Sequence, residues 1–343
     1  MKAAILVKQK KKLIVDELDL PSSLNVGQVL VKLEYSGICG TQIGEIDGVK
    51  GEDKFLPHLL GHEGSGIVEK VGPGVKTVKK GDSVVLHWRQ GDGIQSEPPK
   101  YNWNGKTVNA GWVTTFNTKA IISENRCTKI PDNISKEDAA LFGCAVTTGF
   151  GVIENNAKLK MGESIVVFGA GGIGLNIIQA ARLTSAWPII AVDLFDNRLD
   201  LAEKLGATHL VNSSNKNYLD EIKNILKDRK LDVFIDNTGN TSIIEMGYNL
   251  INDQGRLILV GVPKTGENIN IFSLPLHFGK KITGSFGGEC NPAKDIPRFI
   301  KMMQNGLWDL KGLITEQYSL EDINEAIFSM RTGKTSGRVI IKL

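Results

Sequence analysis

The stretch SIVVFGAGGIGLNIIQAARL, Ser164–Leu183, decides how this chain folds. An apolar strand-like run leads into Gly169, Gly171 and Gly174, which stand in G-x-G-x-x-G spacing, and an apolar helical run follows. The spacing alone is a weak signal, but a strand before it and a helix after it supply the context it needs. The first glycine permits a tight turn, the second lets the backbone approach a pyrophosphate, and the third lets helix and strand pack closely. Gly172 and Ile173 then open the helix, whose free N–H groups face anionic phosphate. Asp193 closes the strand PIIAVD, 19 residues after Gly174. A carboxylate there accepts the ribose hydroxyls of NAD and repels the 2′-phosphate of NADP. Leu194 offers no cation to reverse that preference, while Arg198 is near enough to lean over adenine or reach a ribose oxygen. The bland alternative is a ligand-free turn with Asp193 as a loop acid. Strand, glycines, helix and acid in register argue against it.

Outward from this turn the pattern repeats. SIVVF, PIIAVD, THLVN, LDVFID, GRLILVG and KITGSF read as strands, with amphipathic helices such as NRLDLAEKLG and NYLDEIKNILKD between several of them. Apolar strands alternating with helices predict an α/β Rossmann domain, a doubly wound parallel sheet covered on both faces. Before about Asn133 the chain instead carries short strand-like runs separated by Gly, Pro and Asp, among them AAILV, QVLVKLEY and GSGIVEKV. These predict a mostly antiparallel β domain. Ser135 followed by Asp138 marks a helix start between the two regions, and the tail reads as helix, turn and strand.

The totals fit two domains of an ordinary globular protein. The chain has 343 residues, 41% apolar and 23% charged, with a net charge of +3 spread along it. No basic patch predicts nucleic acid or a membrane surface as partner. No apolar run approaches the roughly 20 residues that span a bilayer, and the short run in MKAAILVKQKKK reads as a strand rather than a signal peptide. Four widely spaced cysteines form no disulfide framework, which predicts a cytoplasmic protein.

Cys39, His62 and Cys144 stand in YSGICGTQIG, LLGHEGSG and LFGCAVTTGFG. A Cys/His/Cys set suits zinc with one position left open. Each residue alone is more simply a buried small thiol or a structural histidine.

Read in order, GICGT, GHEGSG, GDSV, GCAVTTGFG, GAGGIG, the VD pair, GRLILVGVP, SFGG and TGKTSGRVIIKL resemble the zinc-containing alcohol dehydrogenase branch of the medium-chain dehydrogenase/reductase superfamily. The resemblance covers nearly the whole chain. It implies a GroES-like catalytic domain from 1–145 and 289–343, a Rossmann NAD-binding domain over 146–288, and a cleft between them. It implies one catalytic Zn2+ on Cys39, His62 and Cys144, with Glu63 as the nearby carboxylate. Thr41 would pass the alcohol proton outward, Thr148 would stand beside the nicotinamide, and Arg338 would contact the pyrophosphate. A homodimer or homotetramer is expected.

The chain departs from that pattern. Gly44 stands where relatives often carry a relay histidine, Gln42 where they often carry an aspartate behind the zinc histidine, and Gly40 removes a side chain that could contact phosphate. No cysteine lies between Cys39 and Cys127, which excludes a thiolate structural zinc in that segment. The segment Leu86–Trp112 instead holds Trp88, Tyr101, Trp103 and Trp112 with no helical or strand period, and reads as a long loop. Trp88 is expected to wall the substrate pocket, with His87 or Arg89 supplying a polar contact, and Trp103 and Trp112 to form a small satellite core. Cys127, Cys290, His58, His209 and His277 are expected to be structural or solvated, and Lys8–Lys12 a solvated turn. The function implied is hydride transfer between NAD and the carbinol carbon of a small-molecule alcohol, with a sugar or polyol derivative as first expectation and a simple alcohol second. A zinc-free quinone or enoyl reductase and a non-catalytic nucleotide sensor are the rivals.

Overall fold

A computed structural model describes all residues, Met1–Leu343. It forms two compact units: Met1–Ala145 with Asn291–Asn305 and Ile314–Leu343, and Val146–Cys290 with Gly306–Leu313. The sequence placed all of 289–343 with the first unit. Gly306–Leu313 clusters with the second, its Trp308, Leu310 and Leu313 buried and the rings of Trp308 and Phe150 4.6 Å apart.

The second unit is a six-stranded, all-parallel sheet. Ile165–Phe168 is central, with Ile189–Asp193 and His209–Asn212 on one side and Leu231–Asp236, Ile251–Leu259 and Lys281–Gly284 on the other. Numbered along the chain, this is the 3-2-1-4-5-6 order of a doubly wound dinucleotide-binding sheet. The inner strands are buried end to end, as the unbroken apolar runs IVVF and IIAVD require.

The first unit holds two sheets. In the seven-stranded one, Gln28–Gly37 pairs with Glu63–Val71, Lys119–Ser123 and the C-terminal strand Arg338–Lys342. The tail therefore returns to the first unit. In the five-stranded one, Lys2–Leu6 pairs with Ile14–Glu17 and His58–Leu59, and a hairpin of Lys100–Trp103 and Lys106–Asn109 joins by its second strand. That hairpin corrects the reading of Leu86–Trp112 as an unstructured loop. Asn104–Gly105, both at positive φ, is the two-residue turn that fits the right-handed twist of paired strands.

Glu124 anchors the rest of that segment. It is 1% exposed, and its carboxylate accepts from Lys76 N (2.7 Å), Thr77 N (2.8 Å), Thr77 Oγ1 (3.0 Å) and Ile94 N (2.8 Å). Three chain segments are thus tied at one buried carboxylate. No helix of the chain is long and apolar enough to cross a membrane.

Candidate active site

In the second unit, the turn after Ile165–Phe168 is built as its glycines predict. Gly169 has φ +94°, and a Cβ on Gly174 would sit 2.0 Å from Gly169 O. A Cβ on Gly171 would meet nothing within 4 Å, so open space lies beside that backbone, where a side chain would intrude on a bound pyrophosphate. Gly172 and Ile173 open the helix Gly172–Leu183. Asp193 Oδ2 accepts from Ala170 N (2.8 Å) and Oδ1 from Phe195 N (3.2 Å), so the acid braces the turn and keeps lone pairs for ribose hydroxyls. Arg198 lies over the Phe195 ring at 4.9 Å, with Nη1 3.6 Å from Asp193 Oδ1. These residues suit a nicotinamide dinucleotide.

Two further residues, one bonded to this turn and one shaping the next, were missed in the sequence. Asn237 Nδ2 donates to Gly169 O (3.2 Å), and buried Asp236 accepts from Thr238 N (3.0 Å), Thr238 Oγ1 (2.6 Å) and Gly239 N (3.0 Å). Burial pushes the Asp236 carboxyl up, against those three donors. The signal was present as LDVFIDNTGN, a strand ending in acid before a turn cluster. Thr148 is buried on the short helix Ala145–Gly151.

In the first unit, Cys39, His62 and Cys144 come together with their ligand atoms all within 4.8 Å of one another. Cys39 caps the helix Gly40–Asp47, and His62 directly precedes the strand Glu63–Val71. Cys144 interrupts what the sequence presented as one apolar helix. Its backbone (φ −149°, ψ −63°) separates a 3-10 turn, Leu141–Gly143, from the helix Ala145–Gly151. The neighbouring Cys144 thiol, followed by His62 and Arg338, holds the Cys39 thiol well below its usual value, although burial pushes the other way. His62 Nε2 is buried without a hydrogen-bond partner. Two thiols, one poised to ionise, and an open imidazole nitrogen fit zinc, and three protein ligands match a catalytic centre that keeps a position for substrate.

Gln42 stands behind this set, 2% exposed. Its Oε1 accepts from Cys39 N (3.0 Å), and its Nε2 faces His62 Nδ1. With the amide in this orientation, its N–H₂ donates to Nδ1 and the ring proton falls on Nε2. Metal at Nε2 needs the opposite tautomer, with Nδ1–H donating. Turning the amide would supply that acceptor but set N–H₂ against Cys39 N–H. Glutamine satisfies one neighbour at the expense of the other.

Glu63 is fully buried, with Oε2 accepting from Ala145 N (3.2 Å) and Oε1 against the Arg338 guanidinium. A Cβ on Gly37 would lie 2.5 Å from that carboxylate, so glycine makes its room. Arg338, which the resemblance places at the pyrophosphate, lies here against Glu63. Its strand is paired inside the first unit, and its guanidinium is turned inward, 4% exposed. Burial pushes Arg338 below the usual arginine value while Cys39 acts to raise it. Thr41, exposed at the first helical turn, has Oγ1 3.7 Å from Cys39 Sγ.

Trp88 is half-buried with its ring 6.4 Å from that of His62. Arg89 lies 5.9 Å over Trp88. His87 is not available to substrate. It is 1% exposed, its ring nitrogens meet Arg89 O (2.7 Å) and Thr128 Oγ1 (2.8 Å), and burial pushes it down to about 4. Trp103 donates to Asp16 Oδ2 (2.8 Å), and the buried Tyr101 hydroxyl accepts from Ile121 N (3.0 Å). Trp112 is 44% exposed under Arg126 and so does not belong to the satellite core expected of it. Cys127 is buried, and Cys290 donates to Thr147 O (3.0 Å). His58 bridges Asp53 and Leu59 O, His209 meets Thr208, and His277 is exposed.

Residues 25–132 match the alcohol dehydrogenase GroES-like domain and residues 172–305 the zinc-binding dehydrogenase domain. The S-(hydroxymethyl)glutathione dehydrogenase of Paracoccus denitrificans is 30% identical over 380 aligned residues, covering 99% of each chain. Benzyl alcohol dehydrogenase from Acinetobacter calcoaceticus superposes with TM-score 0.89 at 29% identity, covering 100% of this chain and 99% of that one. 2R,3R-butanediol dehydrogenase from Bacillus subtilis does so with TM-score 0.79 at 25% identity, covering 100% and 99%. With its Rossmann sheet, GroES-like unit and Cys/His/Cys cluster, the chain belongs to the zinc-containing alcohol dehydrogenase branch of the medium-chain dehydrogenase/reductase superfamily, oxidoreductases that use zinc and NAD to move a hydride from an alcohol carbon.

Proposed function

We propose that Cys39, His62 and Cys144 hold the zinc, that the Gly169–Gly174 turn and Asp193 hold NAD, and that the substrate is a sugar, polyol or related hydroxylated molecule set against Trp88. The observation that carries the reading is the convergence of three ligand atoms within 4.8 Å beside a half-buried indole. Zinc held there would supply the Lewis acidity that brings alcohol ionisation near neutral pH, and bound NAD would supply the hydride acceptor.

The chain's own residues do the remaining work. Thr41 accepts the substrate hydroxyl proton and donates its own onward. With Gly44 in place of a histidine, no side chain at that position takes the proton onward, and water would carry it away. Arg338 balances the charge of Glu63 and the thiolates beside it. Thr148 would border the nicotinamide, and Arg198 the adenosine ribose. The indole face of Trp88 suits the C–H faces of a polyol, and its N–H suits a hydroxyl. A simple primary or secondary alcohol is the second reading, favoured by the apolar character of the same ring.

The protein is read as a cytoplasmic homodimer or homotetramer. Its four cysteines are buried, and none is in a disulfide. The sheet edge Lys281–Gly284 is flanked by exposed Phe272, Phe278 and Phe286, an apolar border suited to pairing with a second copy. The function is tested by NAD reduction with zinc-loaded protein against sorbitol, glycerol, glucose and a series of unbranched and secondary alcohols. The reading expects a polyol or sugar to give the highest kcat/KM. Turnover confined to simple alcohols would overturn the substrate class, and none with any alcohol would overturn the function.

A further inference from the structure

The segment from Trp88 to Trp112 carries Arg89 and touches Arg126 through Gln95 and Trp112, two arginines that the reaction as described does not use. Arg89 lies 5.9 Å over Trp88, whose ring stands 6.4 Å from that of His62. Arg126 lies 5.4 Å over Trp112 and is only 6% exposed. Its Nη2 donates to Gln95 Oε1 (3.2 Å), and its Nη1 is buried with no partner. Both polar side-chain atoms of adjacent Asn125 are likewise buried and unpartnered, and Asn125 O ties down Gly91 N at 2.8 Å.

The nearest carboxylate in sequence, Glu124, is spent on four donors from three other residues. Burial, then the charge of Arg89, pushes the Arg126 guanidinium down. The Gly91 N–Asn125 O bond joins the two segments that carry Arg89 and Arg126, so two like charges share this corner, one of them buried against an amide and an indole rather than an acid. An uncompensated buried cation is costly, and a bound anion removes that cost.

We propose that Arg89 and Arg126 form an anion subsite beside Trp88, which receives a carboxylate or phosphate carried by the alcohol substrate. This rests on the reading of Trp88 as the substrate wall, and it narrows the substrate to a hydroxy acid, a sugar acid or a phosphorylated polyol. The anionic group anchors the molecule on the arginines while a hydroxyl reaches the metal centre. Guanidinium pairs suit both anions because their N–H forks match planar and tetrahedral oxygen sets.

The test uses matched substrates on the zinc-loaded enzyme with NAD: gluconate against sorbitol, and glycerol phosphate against glycerol. The anionic member should have the higher kcat/KM by about 10–100-fold, the worth of one or two charged hydrogen bonds. Rising salt should shrink that ratio. The ratio should fall toward unity in Arg126→Met and in Arg89→Met, the second being half-buried and safer for folding, and should be largely kept in Arg126→Lys. Which pair shows the effect tells carboxylate from phosphate. A binding readout stands apart from turnover: inorganic phosphate should change tryptophan fluorescence saturably in the wild type and not in Arg89→Met. Neutral and anionic members used equally well, with no saturable phosphate response, would overturn the subsite while leaving the dehydrogenase reading in place. Saturable phosphate binding lost in Arg89→Met, with no alcohol of either kind oxidised, would support the subsite and overturn the proposed function.

Discussion

Two cross-links in the first unit join distant segments with opposite materials. Cys39, His62 and Cys144 meet through soft donors, and one imidazole nitrogen is left open. Glu124 joins Lys76, Thr77 and Ile94 through a hard carboxylate and N–H or O–H donors, with nothing left over on the donor side. The first is incomplete by itself and suits a metal. The second is complete and needs none. Where a segment has only to be held, a buried carboxylate serves; where chemistry is wanted, the donor set stays unsatisfied.

The largest expected effect comes from breaking the second link. Glu124→Ala leaves its donors buried and unpaired, and should cost about 3–5 kcal/mol in urea unfolding while zinc content stays the same. Loss of zinc in step with stability would merge the two links into one. The same link should respond to acid. Burial acts to raise the Glu124 carboxyl, but Ile94, Lys76 and Thr77 donate to it and bring it net below its usual value. A folded value below the unfolded one stabilises above the unfolded carboxylate pKa, about 4.3, and that share is lost as pH falls through the folded value. Glu124→Gln should therefore flatten the stability profile below about pH 4.5, and an unchanged profile would remove the carboxylate charge from the account.

A smaller effect sharpens the metal link. In Gln42→Glu both oxygens accept, one from Cys39 N–H and one from His62 Nδ1–H. Zinc affinity, read by chelator competition, should rise about 10–100-fold. Unchanged or weaker affinity would mean that the amide does not limit the imidazole tautomer.

The smallest effects separate the tryptophans. Trp88→Ala should lower kcat/KM by roughly tenfold for the preferred substrate with a melting shift of only a degree or two. Trp103→Phe loses the bond to Asp16 and should shift melting slightly with no kinetic change. Reversed outcomes would exchange the roles of the two rings.

What the sequence revealed followed the range of the forces involved. The turn at Gly169–Gly174 was legible because its determinants are local: a strand, three glycines and a helix within 20 residues. The metal set was legible only through a resemblance, since Cys39 and Cys144 are brought together by the break in the helix at Cys144, which an apolar run conceals. The hairpin Lys100–Asn109 was missed although Asn104–Gly105 announces it, because its strands are short and half-polar. Glu124 was invisible, as a buried carboxylate that reaches back 47 or 48 residues looks like any surface acid. The contact of Arg338 with Glu63 was not legible, because only the pairing of its strand brings the two together.

The most direct test of the central claim is to strip metal from the purified protein with a chelator while following zinc per subunit, NAD reduction and thermal melting together. The account predicts about one zinc per subunit, activity that falls in proportion to it and returns when zinc is restored, and a fold that survives the loss because Glu124 still holds the segment Lys76–Ile94. Full activity in metal-free protein, or a second zinc whose removal unfolds the first unit, would contradict it.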